Sequence, residues 1–146
     1  LEPNGEHGLV ATIVGTYVGG YWTGSPLGND WTFHQGTFEP TLAPWGCPGV
    51  EINGADSTSL GSGYQNTIDM LSGCSTSLAN QCYEGYYLPS RDELELIYQN
   101  LNFPDGYYWS SSEYDDTMAW RQSFATGHQS VSLKDNTGTF CVIRSF

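Results

Sequence analysis

Tyr87-Leu88-Pro89-Ser90-Arg91-Asp92-Glu93-Leu94-Glu95-Leu96-Ile97-Tyr98-Gln99-Asn100-Leu101 is the stretch that decides the fold. Ser90 and Glu93 stand three apart, the spacing of a capping box. The serine hydroxyl can accept from the Glu93 N–H while the Glu93 carboxylate reaches back to the Ser90 N–H. Leu94, Ile97, Tyr98 and Leu101 follow at i, i+3, i+4 and i+7, which predicts one apolar stripe on a helix. Asp92 and Glu93 favour the positive end of its dipole, and Pro104-Asp105-Gly106 closes the segment.

C-terminal of this helix the pattern changes to strands. Tyr107 to Ser110, Met118 to Ala125, Ser130 to Leu133 and Thr139 to Ser145 are separated by turn residues at Gly127 and at Asp135-Asn136-Thr137-Gly138. On the N-terminal side, Gln65 to Leu71 predicts a short helix with Ile68 and Leu71 on one side, and Ser77 to Tyr83 a turn or two. Pro3-Asn4-Gly5 followed by Leu9 to Val14 reads as a hairpin turn and a strand. From Gly15 to Gly63 the chain is rich in Gly, Pro, Trp and Asn. It offers short strands at most, such as Trp31-Thr32-Phe33, between long ordered loops. The sum is one α+β domain over residues 1–146, short helices plus an antiparallel sheet.

The chain has 146 residues, four Lys+Arg against sixteen Asp+Glu, and a formal charge of −12. So few cations cannot neutralise a run of phosphates, which argues against nucleic acid and disfavours anionic lipid and sulfated polysaccharide. No apolar run approaches the ~18 residues that a membrane helix needs, so membrane insertion is not expected. An aromatic share of 14% argues against disorder. Leu1 has neither a basic nor an apolar leader segment beside it, so a mature or trimmed chain is expected.

Cys47, Cys74, Cys82 and Cys141 make an even count, and the closest pair is eight residues apart, too far for a zinc-type pair. With the scarcity of Lys and the abundance of Tyr, Trp, Ser, Thr and Gly, they point to an extracellular protein with two disulfides. Four cysteines allow three connectivities. The preferred pairing is Cys47–Cys74, pinning the ends of the Gly-rich insert, with Cys82–Cys141 tying a short helix to the last strand. Cys74–Cys82 with Cys47–Cys141 is the rival.

An ordered set of phrases resembles one known family. They are Gly5-Glu6-His7-Gly8-Leu9-Val10, Trp45-Gly46-Cys47-Pro48-Gly49, Gly61-Ser62-Gly63-Tyr64-Gln65-Asn66-Thr67, Tyr87-Leu88-Pro89-Ser90-Arg91-Asp92-Glu93-Leu94, Tyr108-Trp109-Ser110-Ser111-Ser112-Glu113-Tyr114 with Ala119-Trp120, and Val142-Ile143-Arg144-Ser145-Phe146. The set is similar to the C-terminal domain of the Legionella collagen-like adhesin, a domain family of bacterial surface and phage-associated proteins. The resemblance covers the chain apart from the loop around residues 20–44. It implies a C-type-lectin-like fold on an extracellular or bacterial cell-surface protein, a non-enzymatic adhesion function often directed at glycans, and trimers at the ends of fibrous stalks. The sulfated glycosaminoglycan ligand of the adhesin does not carry over, because Arg91, Arg121, Lys134 and Arg144 are the only basic residues apart from histidine. The family's apolar strand before the turn at Glu2-Pro3-Asn4-Gly5 is missing from a chain that begins at Leu1. Leu9 to Val14 would then expose an unpaired edge, which either a strand of the full protein preceding Leu1 or a segment of a neighbouring copy is expected to complete.

Catalytic readings are weak. His7, His34 and His128 lie outside any Gly-x-Ser-x-Gly elbow. Glu113 with Asp115 or Asp116 as a glycosidase pair is outweighed by solvated turn acids. Glu2-Pro3-Asn4 matches the sugar-binding tripeptide of calcium-dependent lectins, but in the wrong place and order. A calcium site is a separate expectation: Glu113, Asp115 and Asp116 lie within four residues, and Asp135 and Asn136 could add oxygens from the neighbouring turn. Stacking on sugar or protein falls to Tyr21, Trp22, Trp31 and Tyr114, whereas Trp109 and Trp120 are expected in the core. The chain is thus expected to be an adhesion and assembly domain contacting glycan or surface protein through residues 20–44 and 105–118. The alternative is a structural subunit whose partner is itself, in a filament or trimer.

Overall fold

The computed structural model describes residues 9–19, 21–24, 32–34 and 36–145. The chain enters on β1 (Leu9–Ile13) and runs into a ribbon of nested antiparallel pairs: β2 (Gly15–Val18) against β5 (Thr37–Pro40), and β3 (Tyr21–Thr23) against β4 (Thr32–His34). After β6 (Ala43–Pro44), an irregular segment leads to α1 (Gly63–Gly73). A single 3-10 turn (Leu78–Gln81) and α2 (Arg91–Asn100) follow. The C-terminal third holds β7 (Tyr107–Glu113), β8 (Met118–Ser123), β9 (Gln129–Leu133), β10 (Thr137–Gly138) and β11 (Cys141–Ser145). β7, β8 and β9 form a three-stranded antiparallel sheet. This is an α+β architecture with two helices and antiparallel strands.

α2 forms as its sequence predicts, with both halves of the capping box made. Leu94 and Ile97 are buried, while Leu101 lies past the last turn and is exposed. α1 departs from expectation in which side it buries. Asn66, Thr67 and Met70 face inward, and Tyr64, Ile68 and Leu71 are exposed. The inward polar groups are bound: Thr67 Oγ1 donates to the Gly63 carbonyl (2.8 Å) and accepts from the Leu88 N–H (3.0 Å), and Asn66 Nδ2 donates to the Ser57 carbonyl (2.7 Å). Asn66 Oδ1 is buried without a hydrogen-bond partner among the described residues, so the bonds of Asn66 Nδ2 and Thr67 offset most, not all, of the cost of turning this side inward.

The expected strand Leu9 to Val14 is not an unpaired edge. β1 pairs antiparallel with β11, Leu9 opposite Ser145 and Ile13 opposite Cys141. The last strand thus leaves the meander to hold the first described one, with Tyr87 bridging to Ile143 on its other side. Among the described residues from 15 to 40 the strands are short, three or four residues each, as expected, with β4 close to the expected Trp31-Thr32-Phe33, and they pair β2 with β5 and β3 with β4.

Two apolar clusters lie inside. One gathers Trp45, Ile52, Met70, Leu78, Leu88, Trp109 and Phe140; the other gathers Tyr87, Leu94, Ile97, Tyr108, Phe124, Cys141 and Ile143. Both buried indoles have acceptors: Trp45 Nε1 donates to the Ser110 carbonyl (2.8 Å) and Trp109 Nε1 to that of Ala43 (3.1 Å). Trp120, expected in the core, is only half-buried, stacked edge-on with Tyr114.

Cys47 and Cys74 form a disulfide with Cα atoms 6.0 Å apart, as the preferred pairing has it. The second expected bridge is absent: Cys82 and Cys141 are free thiols, one half-buried and one buried. Burial pushes both up to about 12, so they stand as neutral thiols.

Candidate functional site

Residues Ser57 to Ser59 are where the interior polar groups converge. The Ser57 carbonyl accepts from Asn66 Nδ2 and from Ser112 Oγ (both 2.7 Å), and the Ser59 carbonyl from Ser90 Oγ (2.8 Å). The Thr58 carbonyl accepts from the Asp92 N–H (3.0 Å). Ser110, Ser111 and Ser112 are fully buried at a break in the β7–β8 register. The Ser-rich phrase of the sequence therefore clamps a loop: Ser110 Oγ donates to the Trp120 carbonyl (2.8 Å) and Ser112 Oγ accepts from the Arg91 N–H (3.0 Å).

Two buried carboxylates flank this clamp. Glu113, at the end of β7, accepts through Oε2 from the Ile52 N–H (2.8 Å) and from Lys134 Nζ (2.5 Å). Lys134 is fully buried, donates also to the Val50 carbonyl (2.8 Å), and lies 4.9 Å from the centre of the Trp45 ring. Burial raises the Glu113 pKa, and the hydrogen bond from Lys134 works against that rise. Glu93 is the second. Its Oε1 accepts from two helix starts at once, the Ser90 N–H of α2 (3.0 Å) and the Gly63 N–H of α1 (2.9 Å). The approach requires glycine at 63, since a Cβ there would stand 2.5 Å from Glu93 Oε1 and from the Leu88 carbonyl oxygen. Oε2 of Glu93 accepts no hydrogen bond from the described residues.

Glu93 lies at the wall of an open groove of about 490 Å³, with Leu9, Leu60, Gly61, Tyr64, Tyr87, Leu96 and Ser145. Tyr64 stands edge-on to Tyr87, ring centroids 5.5 Å apart, and is 59% exposed. Burial raises the Tyr87 phenol above its ordinary pKa, and the Glu93 charge adds to the rise. Leu60 and Leu96 continue as walls of a second groove with Asp92, Glu95, Gln99 and Gln129. The exposed α1 residues Ile68 and Leu71 extend the apolar surface along the helix from Tyr64.

The residues singled out from sequence are scattered. Tyr114 is exposed, its ring centroid 5.7 Å from that of Trp120. Tyr21 and Trp22 fall on β3, and Trp31 lies outside the described residues, as do Glu2-Pro3-Asn4 and His7. The grouped acids do not converge. Glu113 is turned inward onto Lys134, whereas Asp115 Oδ1 caps its own turn, accepting from the Thr117 N–H (2.9 Å), Thr117 Oγ1 (3.0 Å) and the Met118 N–H (2.7 Å). Those bonds, the Thr117 N–H foremost, lower the Asp115 pKa. Asp116 and Asp135 are exposed, and Asn136 Nδ2 donates to Ser132 Oγ (2.9 Å). Among the described residues no three His, Cys, Asp or Glu side chains form a group able to hold a metal ion.

Sequence reasoning missed the groove because its parts come from β1, the loop before α1, α1 itself, α2 and β11. The available sign was the spacing of Tyr64, Ile68 and Leu71, apolar at i, i+4 and i+7 on a helix whose other side carries Asn66 and Thr67. No family model and no curated protein matches this sequence.

Proposed function

We propose that this chain is a non-enzymatic extracellular adhesion and assembly domain that binds glycan or protein through loops and grooves on a rigid frame. One observation carries the reading: an exposed apolar and aromatic surface, Leu60, Tyr64, Ile68, Leu71 and Leu96, stands beside interior polar groups that fix backbone. A frame held in this way presents a surface with little ordering cost on binding. The C-type-lectin-like architecture implied by the resemblance is supported by two short helices beside antiparallel strands. The long ordered segment before α1, stapled through Cys47–Cys74, supports it too. The disulfide and the acidic surface accord with an extracellular or cell-surface setting.

The alternative, a subunit that assembles with itself in a trimer or filament, is favoured by β1. Its one strand partner among the described residues is β11, and a strand from a neighbouring copy added along β1 would extend that two-stranded sheet. Calcium remains part of this proposal as a bridge between acidic copies. A glycan and surface-protein array, run beside native mass measurement with calcium or chelator, tests all three. Adhesion by a monomer selects the first reading, and calcium-dependent oligomers without adhesion select the second. A monomer that binds nothing on the array defeats both.

A further inference from the structure

We infer that the Tyr64–Glu93 groove is a docking site for a lysine side chain presented by a partner protein. The groove offers what an ammonium on a methylene stem requires. Leu9, Leu60 and Leu96 give apolar walls to the stem, Tyr64 gives an exposed ring face, and Glu93 gives a carboxylate. Glu93 is 2% exposed, its Oε1 is held by two backbone N–H groups, and its Oε2 takes none of the hydrogen bonds of the described residues. A buried, fixed carboxylate that lines a groove and takes no hydrogen bond from the described residues at one oxygen is a pre-organised acceptor for a cation.

Among the described residues no Lys or Arg reaches that oxygen. All four basic side chains lie over aromatic rings elsewhere: Arg91 over Trp120, Arg121 over Tyr107, Lys134 over Trp45 and Arg144 over Tyr86. Neither groove is lined by Lys or Arg, and the second contributes Asp92 and Glu95 beyond the Leu60–Leu96 ridge. Arg91 answers Asp92 at 3.3 Å, and Glu95 accepts from Gln99 and Gln122, which leaves Glu93 as the carboxylate of the first groove to meet an incoming cation. With a net charge of −12, the field of the whole chain attracts a basic partner. An amino sugar fits less well. Its hydroxyls ring the whole molecule and need polar partners on every side. The first groove instead sets the polar atoms of Ser145, Glu93, Tyr64 and Tyr87 among Leu9, Leu60 and Leu96, walls that suit a methylene stem.

The inference deepens the adhesion reading and rests on it. The test uses the full chain at about 0.15 M salt, where distant charges are screened. The probes are acetyl-Lys-Lys-Lys-amide, the same peptide with acetylated side chains, and glucosamine. Binding is followed by calorimetry and by amide chemical shifts. The expected result is binding of the charged peptide alone, with shifts at Gly61, Tyr64 and Leu96. Glu93→Gln should weaken it about tenfold while its amide oxygen keeps both N–H bonds, and Tyr64→Ala, at an exposed position, several-fold. Equal binding of the acetylated peptide, preference for glucosamine, or shifts centred on Asp115 and Asp116 would each overturn the lysine site. So would unaltered affinity in both variants. A chain that ignores the peptide yet still binds on the array loses the lysine site and keeps the adhesion reading. A chain that binds the peptide at this groove while showing no adhesion loses the broader reading instead.

Discussion

Glu113 and Glu93 are both buried carboxylates on the same frame, and their surroundings assign them different work. Glu113 meets a buried ammonium and a backbone N–H at one oxygen, inside a shell that includes Trp45. Glu93 meets two backbone N–H groups at one oxygen, takes no hydrogen bond from the described residues at the other, and lines a groove. A carboxylate neutralised by a buried lysine is closed to ligands. One held at a single oxygen by the N–H groups of two helix starts keeps acceptor capacity at the other. The two Glu residues are indistinguishable by type, and what packs around each makes one structural and the other a candidate for recognition.

The largest effect that would break this contrast comes from Lys134. Lys134→Ala leaves Glu113 buried without its partner and should cost about 3–5 kcal/mol in urea denaturation. Lys134→Met with Glu113→Leu should recover much of that loss, since an apolar pair of similar volume replaces the ions. If Lys134→Ala proves neutral, the pair is not the centre of that region.

Removing the disulfide comes next. Cys47→Ser with Cys74→Ser opens a link across 27 residues, for which loop-closure entropy gives about 3 kcal/mol. Amide hydrogen exchange sharpens the comparison, because the Ile52 N–H reports on Glu113 and the Gly63 N–H on Glu93. Exchange should accelerate at Ile52 more than at Gly63. A thiol-reactive reagent should label Cys82 slowly and leave Cys141 unlabelled until unfolding, as burial and neutral thiols require. Recovery of a Cys82–Cys141 peptide without reduction would contradict the free thiols.

At the Glu93 end, Glu93→Ala strands two buried N–H groups and should cost about 2 kcal/mol, whereas Glu93→Gln should cost under about 1 kcal/mol. Similar losses in the two variants would mean that charge, not acceptor geometry, holds the helix starts together. The smallest effect belongs to Asp115. Its folded pKa is lowered from its ordinary 3.8, so its contribution is present above that value and is lost as the pH falls through the lower folded value. Asp115→Asn should flatten the stability profile only in that acid window, measured by melting temperature against pH. Unchanged slopes would show that the turn bonds do not distinguish the charged carboxylate.

α2 was legible residue by residue, because a capping box and an apolar stripe are local properties of Ser90 to Ile97. The strands of the C-terminal third were legible too, within a few residues, with Cys47–Cys74 the preferred cysteine pairing. The partner of β11 was not, since strand pairing between residues 9–13 and 141–145 leaves no mark in either segment alone. Nor was the buried side of α1, where hydrogen bonds from Asn66 and Thr67 outweigh the apolar spacing of Tyr64, Ile68 and Leu71. Glu113, Asp115 and Asp116 look alike in sequence, yet β7, buried from Tyr108 to Glu113, carries Glu113 inward and the turn after it sets Asp115 outside. The sequence by itself determined the α+β class, the capped helix and the acidic charge, all of which follow from composition or short-range spacing, whereas the choice among the three cysteine pairings was settled by the fold. Tertiary structure alone decided which glutamate is neutralised and which faces a groove. That choice depends on Lys134 and Gly63, which are 21 and 30 residues away from the carboxylates they meet.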